Sequence, residues 1–288
     1  MRVGATMIEL GPALAVAVVL FVVIGTAAAW LGRTGLEREV PWASIRAAVQ
    51  LIALALVIGY VADRAWLVGV FVVVMATTAS WAAAGRMARR GTPRRSMTGS
   101  PMTGSPMAGS PTTWAPRTWS PRTWARGTRA RARDALWCAL PVAVPPLVVV
   151  AGLLAAGVVR PNGLSVIPVV GIFLGNAMAI AGLAGRRAHD ELEVRHGEVE
   201  AALSLGFTDY PARMMVCREA AATALSPSLD QTRTIGLVTI PGAFVGMILG
   251  GAEPWQAGVM QLFVSTGILA CGAIALVVTT LLVAADRL

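Results

Sequence analysis

The chain has 288 residues, of which 56% are hydrophobic and only 14% are charged. Soluble globular domains carry about 25% charged residues, so this composition excludes a soluble protein and indicates a membrane protein. The formal net charge of +9 comes from one segment, because 11 arginines and no acid lie between Arg86 and Arg133, and so local an excess argues against a nucleic-acid-binding domain.

Seven apolar stretches of about 20 residues are long enough to cross the ~30 Å hydrocarbon core of a bilayer as helices. They predict an all-α, polytopic membrane protein in which residues 1–288 form a single transmembrane domain. The first stretch exceeds the roughly 7–15 apolar residues of a signal peptide, so we expect it to be retained. The predicted spans are 11–31, 45–62, 65–84, 135–159, 164–184, 234–252 and 256–285.

The arginines indicate which side of the membrane each connecting loop faces. With seven spans, one side holds only Arg2, Arg64 and Arg160, and the other side holds all remaining arginines. Loops rich in arginine stay in the cytoplasm. We therefore predict a bacterial inner (plasma) membrane protein whose N-terminus is outside and whose C-terminus is cytoplasmic.

Residues 86–134 separate the third span from the fourth. Positions 97–126 repeat in fives, beginning with M-T-G-S-P, and are rich in proline, glycine, serine and threonine. Such a composition cannot bury a core, so we predict a disordered cytoplasmic insert. Trp114, Trp119 and Trp124 alternate with arginines, and the alternative is that they rest on the anionic lipid of the inner leaflet.

A few polar or sulfur-containing residues of the predicted spans are candidates for lining a translocation pathway. Arg46 and Gln50 are four residues apart and therefore share a helical face. The alternative role for each candidate is a contact between packed helices. The candidates are Arg46, Gln50, Asn176, Met178, Thr239, Met247 and Gln261.

All 15 acids lie outside the predicted spans or at their ends, and both histidines lie between the fifth and sixth spans. Proton-driven carriers usually hold a carboxylate or histidine at membrane depth, so this distribution argues against one. The pathway candidates also lack the charged oxygen ligands that iron favours. His189, Glu193, His196 and Glu200 share a helical face, but Gly197 interrupts it, and we expect no metal site in this chain.

The chain contains no lysine. A phosphate-binding loop of the G-x-x-x-x-G-K-[ST] type requires its lysine, so this chain cannot hold that kind of ATPase site. Cys138, Cys217 and Cys271 show no C-x-x-C spacing, which gives no indication of a disulfide framework or a zinc site. We expect neither catalytic residues nor a cofactor in this chain.

The segment from Arg186 to Arg233, between the fifth and sixth spans, contains E-V-E-A-A-L-S-L-G-F from Glu198 to Phe207. Its E-A-A-x-x-x-G pattern resembles the coupling-loop motif of ABC importer permeases, in which two short helices dock on an ATPase. Small alanines permit close helix contact, and Gly206 can adopt the positive φ that reverses the chain. The predicted coupling residues are Glu198, Glu200, Ala201, Ala202 and Gly206.

The second half of the motif departs from the importer pattern, since Val216 to Glu219 stand where an apolar residue and leucine-proline are usual. Thr208 or Asp209 can cap the second helix, and Pro211 suits its first turn.

Three longer stretches extend the resemblance over nearly the whole chain outside the repeat. Together with R-A-A-V-Q-L at Arg46–Leu51, they resemble the Fet-type permeases. They are V-I-P-V-V-G-I-F-L-G-N-A-M at Val166–Met178, E-V-E-A-A-L-S-L-G, and G-L-V-T-I-P-G-A-F-V-G-M-I-L-G-G at Gly236–Gly251.

That family is linked to iron export and has plant relatives linked to aluminium tolerance. The resemblance implies a permease that works in two copies with a separate ATPase, which binds ATP and Mg. Composition alone also fits the alternative, a stand-alone ion channel or secondary carrier.

Overall fold

The computed structural model describes residues 12–32, 38–61, 64–87 and 121–288, so positions 97–120 of the repeat at 97–126 lie outside these ranges. All regular secondary structure within them is helical, which confirms the all-α, polytopic fold. The helices are α1 (Pro12–Leu31), α2 (Glu39–Val61), α3 (Ala65–Met87), α4 (Pro121–Ala155), α5 (Gly163–Val194), α6 (His196–Ser204), α7 (Asp209–Ala222), α8 (Ser226–Thr234), α9 (Gly242–Leu249) and α10 (Pro254–Ala284), with a 3-10 turn at Thr223–Leu225.

Four segments of the described chain are apolar and long enough to cross a membrane as single helices: Trp66–Met87, Leu136–Ala155, Gly163–Val194 and Pro254–Ala284. The 32 residues of α5 extend about 48 Å, so this helix projects well beyond a ~30 Å hydrocarbon core. α4 begins at Pro121, and residues 121–134 of the predicted insert are therefore helical.

The described chain divides into two compact units, each built from parts of several helices. The first unit contains the chain up to Met75 and residues 147–173 and 227–270, and the second contains residues 76–146, 174–226 and 271–288. In the first unit, Val61, Val68 and Ile167 form a buried cluster. In the second unit, small side chains of α3 and α5 pack on Cys138 and Val142 of α4. Small residues allow membrane helices to approach closely.

Within the second unit, α7 runs antiparallel to both α5 and α10. Cys217 of α7 packs beside Ala188 of α5 and Val283 of α10, near the ends of those helices. Four residues further along α7, Ala221 packs beside Ala184. The chain therefore moves back along α5 as it advances through α7.

The 3-10 turn that follows α7 brings the chain beside the middle of α5 and α10. A Cβ on Gly272, near the middle of α10, would lie 2.4 Å from Cδ1 of Ile180, 3.1 Å from Nδ2 of Asn176 and 3.4 Å from Cδ1 of Leu225. Leu225 therefore lies at mid-length of both α5 and α10. Ser226 keeps helical backbone angles, so α8 continues from this level.

The predicted span 234–252 does not form a single membrane-length helix. α7, the 3-10 turn and α8 follow one another without a break from Asp209 to Thr234, and α8 ends at the first residue of the predicted span. The next helix, α9, covers only Gly242–Leu249.

Residues 235–251 form a turn and a short helix instead of a span. The carbonyl oxygen of Thr234 accepts hydrogen bonds from the backbone N–H groups of Leu237, Val238 and Thr239, and Gly236 adopts a φ of 81°. α9 has eight residues and rises about 12 Å, less than half of the hydrocarbon core. Glycine and proline end the helix on both sides, although the composition is apolar throughout.

Candidate functional site

Arg195 joins three helix ends at the base of the predicted coupling segment. Its backbone (φ −100°, ψ 28°) separates α5 from α6. Its guanidinium donates hydrogen bonds to Glu198 and lies 3.8 Å from Glu191 and 3.6 Å from Glu219. These hydrogen bonds lower the pKa of the Glu198 carboxyl below its ordinary value. Arg195 therefore links the start of α6 to Glu219 of α7.

α6 and α7 form a helical hairpin, residues 196–222, closed by a turn at Gly206. The N–H of Phe207 bonds to the carbonyl of Ala202 at 3.1 Å, and the N–H of Gly206 bonds to the carbonyl of Leu203 at 3.0 Å. This pair of bonds is a Schellman motif, which requires a left-handed residue after the helix. Gly206 has a φ of 90°, as its position in the motif predicts.

The hairpin has its own small core. Val199 and Ala202 of α6 pack on Ala212 and Val216 of α7. Ala202 is only 6% exposed, so it holds the two helices together rather than meeting a partner. Thr208 is the N-cap residue of α7, although its side chain makes no capping hydrogen bond, and Pro211 lies in the first turn.

Four large apolar side chains around the turn are exposed, and we call them the apolar tip. Leu205 is 80% exposed, and the apolar tip consists of Leu203, Leu205, Phe207 and Tyr210. Contiguous exposed apolar side chains mark surfaces that bind other proteins or membranes. Ala201 and Glu200 of α6 are also exposed, and Nδ1 of His196 lies 3.3 Å from Oε1 of Glu200.

An ion pair and a buried cluster attach the hairpin to the last membrane helix. Nη1 of Arg213 donates a hydrogen bond to Oδ1 of Asp286 at 2.7 Å, immediately after α10 ends. Cys217 is fully buried against Ala188 of α5 and Val283 of α10. The hairpin is therefore anchored to both long helices.

Comparison with known proteins places the chain in a family. The model of an uncharacterised protein family, UPF0014, matches residues 12–115 and 120–287, which is nearly the whole chain. The chain belongs to the UPF0014 family. No solved structure matches it.

Relatives of this UPF0014 chain include two plant proteins and a bacterial one. UPF0014 membrane protein STAR2 of Oryza sativa subsp. japonica is 35% identical over 117 residues, and Protein ALUMINUM SENSITIVE 3 of Arabidopsis thaliana is 35% identical over 116 residues. The Probable iron export permease protein FetB of Escherichia coli (strain K12) is 29% identical over 131 residues.

These matches cover part of each protein. They span 41%, 40% and 46% of this chain and 41%, 42% and 51% of the respective relatives. The chain therefore aligns with about half or less of the length of the curated relatives.

The predicted pathway residues of the UPF0014 chain lie in different surroundings. Gln261 is buried and donates a hydrogen bond to Ser265 at 2.9 Å, while its Oε1 has no partner among the described atoms. Thr239 lies with its Oγ1 3.4 Å from Oγ1 of Thr234. Arg46 and Gln50 are exposed on α2, Asn176 adjoins Gly272, Met178 packs on the α3–α4 cluster, and Met247 is half-buried on α9.

A polar cleft of about 390 Å³ lies beside the base of the hairpin. Its lining balances two arginines against three acids, and no group of three or more metal-ligating side chains occurs among the residues that the structure describes. The lining residues are Arg187, Asp190, Glu191, Arg195, Glu219, Ala220 and Thr223.

The apolar tip was missed by sequence reasoning. It was overlooked because the coupling motif directs attention to glutamate, alanine and glycine, although the string L-S-L-G-F from Leu203 to Phe207 carries the signal.

Proposed function

We propose that this chain is the permease subunit of an ABC transporter that uses an ATPase on a separate polypeptide. The hairpin carries this proposal, because a rigid turn at Gly206 presents the apolar tip while Arg213 and Cys217 attach the same hairpin to α5 and α10. ATP and Mg would be bound by the ATPase, and motion at its surface would reach the membrane helices through the hairpin.

We propose that two copies of the chain work with two ATPase subunits and move iron or a related metal species outward. The name of the FetB relative, an iron export permease protein, supports this substrate and direction. The plant relative named for aluminium sensitivity supports a role in metal handling.

The proposal places the hairpin and the C-terminus in the cytoplasm. A reporter fused after Leu288 is expected to read cytoplasmic, and one inserted between Arg160 and Asn162 is expected to read external, because loops rich in arginine stay inside. Alkaline phosphatase and green fluorescent protein fusions in a bacterial host measure this directly. An external reading after Leu288 would contradict the proposal, since the hairpin lies beside the C-terminal end of α10.

Glu200→Arg is expected to weaken the association with the ATPase by at least about tenfold. It reverses the charge that α6 presents to the ATPase, and a charge of the wrong sign at a protein interface is costly. Glu200 is exposed, and its nearest charged partner is His196 on the same helix, so the hairpin itself should survive the change. Co-purification with the co-expressed ATPase and ATP hydrolysis by the complex are the measurements.

The matched control for this charge reversal is Glu253→Arg, at an exposed acid directly before α10. It should insert and bind the ATPase like the unaltered chain. Normal ATPase association by Glu200→Arg would refute the coupling role of the hairpin.

A stand-alone ion channel or secondary carrier is the alternative candidate function. Carriers driven by protons usually hold a carboxylate or histidine at membrane depth. Export of Fe²⁺ from proteoliposomes that contain the chain and the ATPase separates the two candidates. Dependence on ATP supports the ABC transporter, and export driven by a pH gradient without ATP supports the carrier.

A further inference from the structure

Three exposed arginines lie at one end of the second compact unit, and we call them the arginine patch. They are Arg86 in the last turn of α3, Arg186 on α5 and Arg287 after α10. Arg195 and Arg213 each pair with acids. Among the residues that the structure describes, no carboxylate forms an ion pair with any member of the arginine patch. Its positive charge is therefore available to an anion.

Contacts within this unit bring the ends of α3, α4 and α5 together. Sγ of Cys138 on α4 donates a hydrogen bond to Sδ of Met87 at the end of α3, at 3.7 Å. A Cβ on Gly182 would lie 3.2 Å from Cδ of Arg86, so the stem of Arg86 rests against α5. Arg186 is four residues after Gly182 and shares its helical face. Arg86 and Arg186 are therefore neighbours.

Arg287 reaches the same end of the unit through Trp137. Cζ of Arg287 lies over the Trp137 ring, 5.3 Å from its centroid. Leu288, the next residue, packs against the buried cluster that contains Met87 and Cys138. The residues after α10 thus add a third positive charge beside the ends of α3 and α4.

This end of the unit coincides with the ends of candidate membrane spans. One span ends at Met87, another begins at Leu136, and a third ends at Ala284, three residues before Arg287. Tryptophan rings at the end of a span lie at the level of the lipid headgroups, and long basic side chains extend toward the same level. We therefore expect the arginine patch to meet headgroups.

We propose that the arginine patch, together with Trp137, binds the phosphate headgroup of an anionic phospholipid. Guanidinium groups present N–H donors in a planar fork that matches phosphate oxygens. Trp137 contacts the face of the Arg287 guanidinium and so leaves the N–H groups in its plane free to donate. Basic pockets between membrane helices bind lipid headgroups in this way. The proposal goes beyond transport, because it requires neither an ATPase nor a metal.

Exposed apolar side chains beside Trp137 favour a lipid over free phosphate. Leu136, Leu140 and Val144 are spaced four residues apart on α4, and they are 74%, 43% and 47% exposed. Residues at this spacing share a helical face, so they form an apolar stripe that runs from the arginine patch along the membrane span. An acyl chain can lie along this stripe, whereas inorganic phosphate has no group that would use it.

The test measures lipid binding to the purified full chain in detergent. Native mass spectrometry counts bound phosphatidylglycerol, and phosphatidylcholine with the same acyl chains is the uncharged comparison. We expect each of Arg86→Gln, Arg186→Gln and Arg287→Gln to weaken phosphatidylglycerol binding about fivefold, and the triple variant about a hundredfold. Phosphatidylcholine binding should not change. Trp137→Leu should weaken phosphatidylglycerol binding about threefold, because Arg287 loses its aromatic contact.

Arg160→Gln is the matched control, at an exposed arginine between α4 and α5. It removes the same charge away from the arginine patch and should leave phosphatidylglycerol binding unchanged. Arg287→Lys keeps the charge without the planar fork, and it should bind more phosphatidylglycerol than Arg287→Gln. The remaining arginines are present in each of these variants, so the differences report the substituted residue. Size-exclusion profiles show whether each variant is folded, and the single variants suffice if the triple variant is not.

Four results would overturn the proposal. An equal loss of phosphatidylglycerol in Arg160→Gln would indicate a general attraction between charges. Unchanged binding by the folded single variants would show that the arginine patch holds no lipid. Competition by inorganic phosphate at the same concentration as the lipid would indicate a site for free anions. Loss of ATPase co-purification with unchanged lipid binding would show that a protein partner covers the arginine patch.

Discussion

Gly206→Val is expected to abolish ATPase association and ATP-dependent export while the membrane helices still fold. Gly206 has a φ of 90°, and a β-branched residue held there costs about 1–2 kcal/mol. The hairpin would relieve this strain by giving up the bonds from Phe207 to Ala202 and from Gly206 to Leu203. The apolar tip would then lose its fixed position on the ATPase.

Gly197→Val is the matched control for this substitution. Gly197 lies in the same helix, its φ is outside the positive region, and no atom lies within 4 Å of a Cβ placed there. It should bind the ATPase normally, and size-exclusion profiles should show both variants folded. Normal export by Gly206→Val would mean that the turn has no role in coupling.

Gly267→Val is expected to prevent stable folding of the membrane domain. A Cβ at this position of α10 would lie 2.3 Å from Cζ and 2.7 Å from Cε1 of Phe173, whose ring is only 1% exposed. A buried ring has no free space to move into, and overpacking of a core costs about 1–3 kcal/mol. Thermal unfolding and the yield of monodisperse protein in detergent measure the loss.

Two further variants make this result specific. Gly258→Val lies in the same helix with no atom within 4 Å of its added Cβ and should behave like the unaltered chain. Adding Phe173→Leu to Gly267→Val should recover part of the lost stability, since it removes the colliding ring atoms. Equal stability of Gly267→Val and Gly258→Val would contradict the close packing of α10 on Phe173.

The hairpin turn was predictable because its physics is local. A glycine that follows a short alanine-rich helix favours a left-handed helix end, and Pro211 suits the start of the next helix. The exposed Leu205 and Phe207 were not predictable by the same reasoning. Whether an apolar side chain near a turn is buried depends on what the rest of the chain places over it.

Composition and local pattern by themselves determined that this protein is an all-α membrane protein without a lysine-dependent ATP site, and that its chain reverses at Gly206. Only the tertiary structure showed how residues 234–252 are built and where α7 packs. Hydropathy favours one long helix over 234–252, but Gly236 and Pro241 interrupt the helix there. The polar α7 buries its small Ala221 beside Ala184 of α5, a long-range contact that a window along the sequence does not contain.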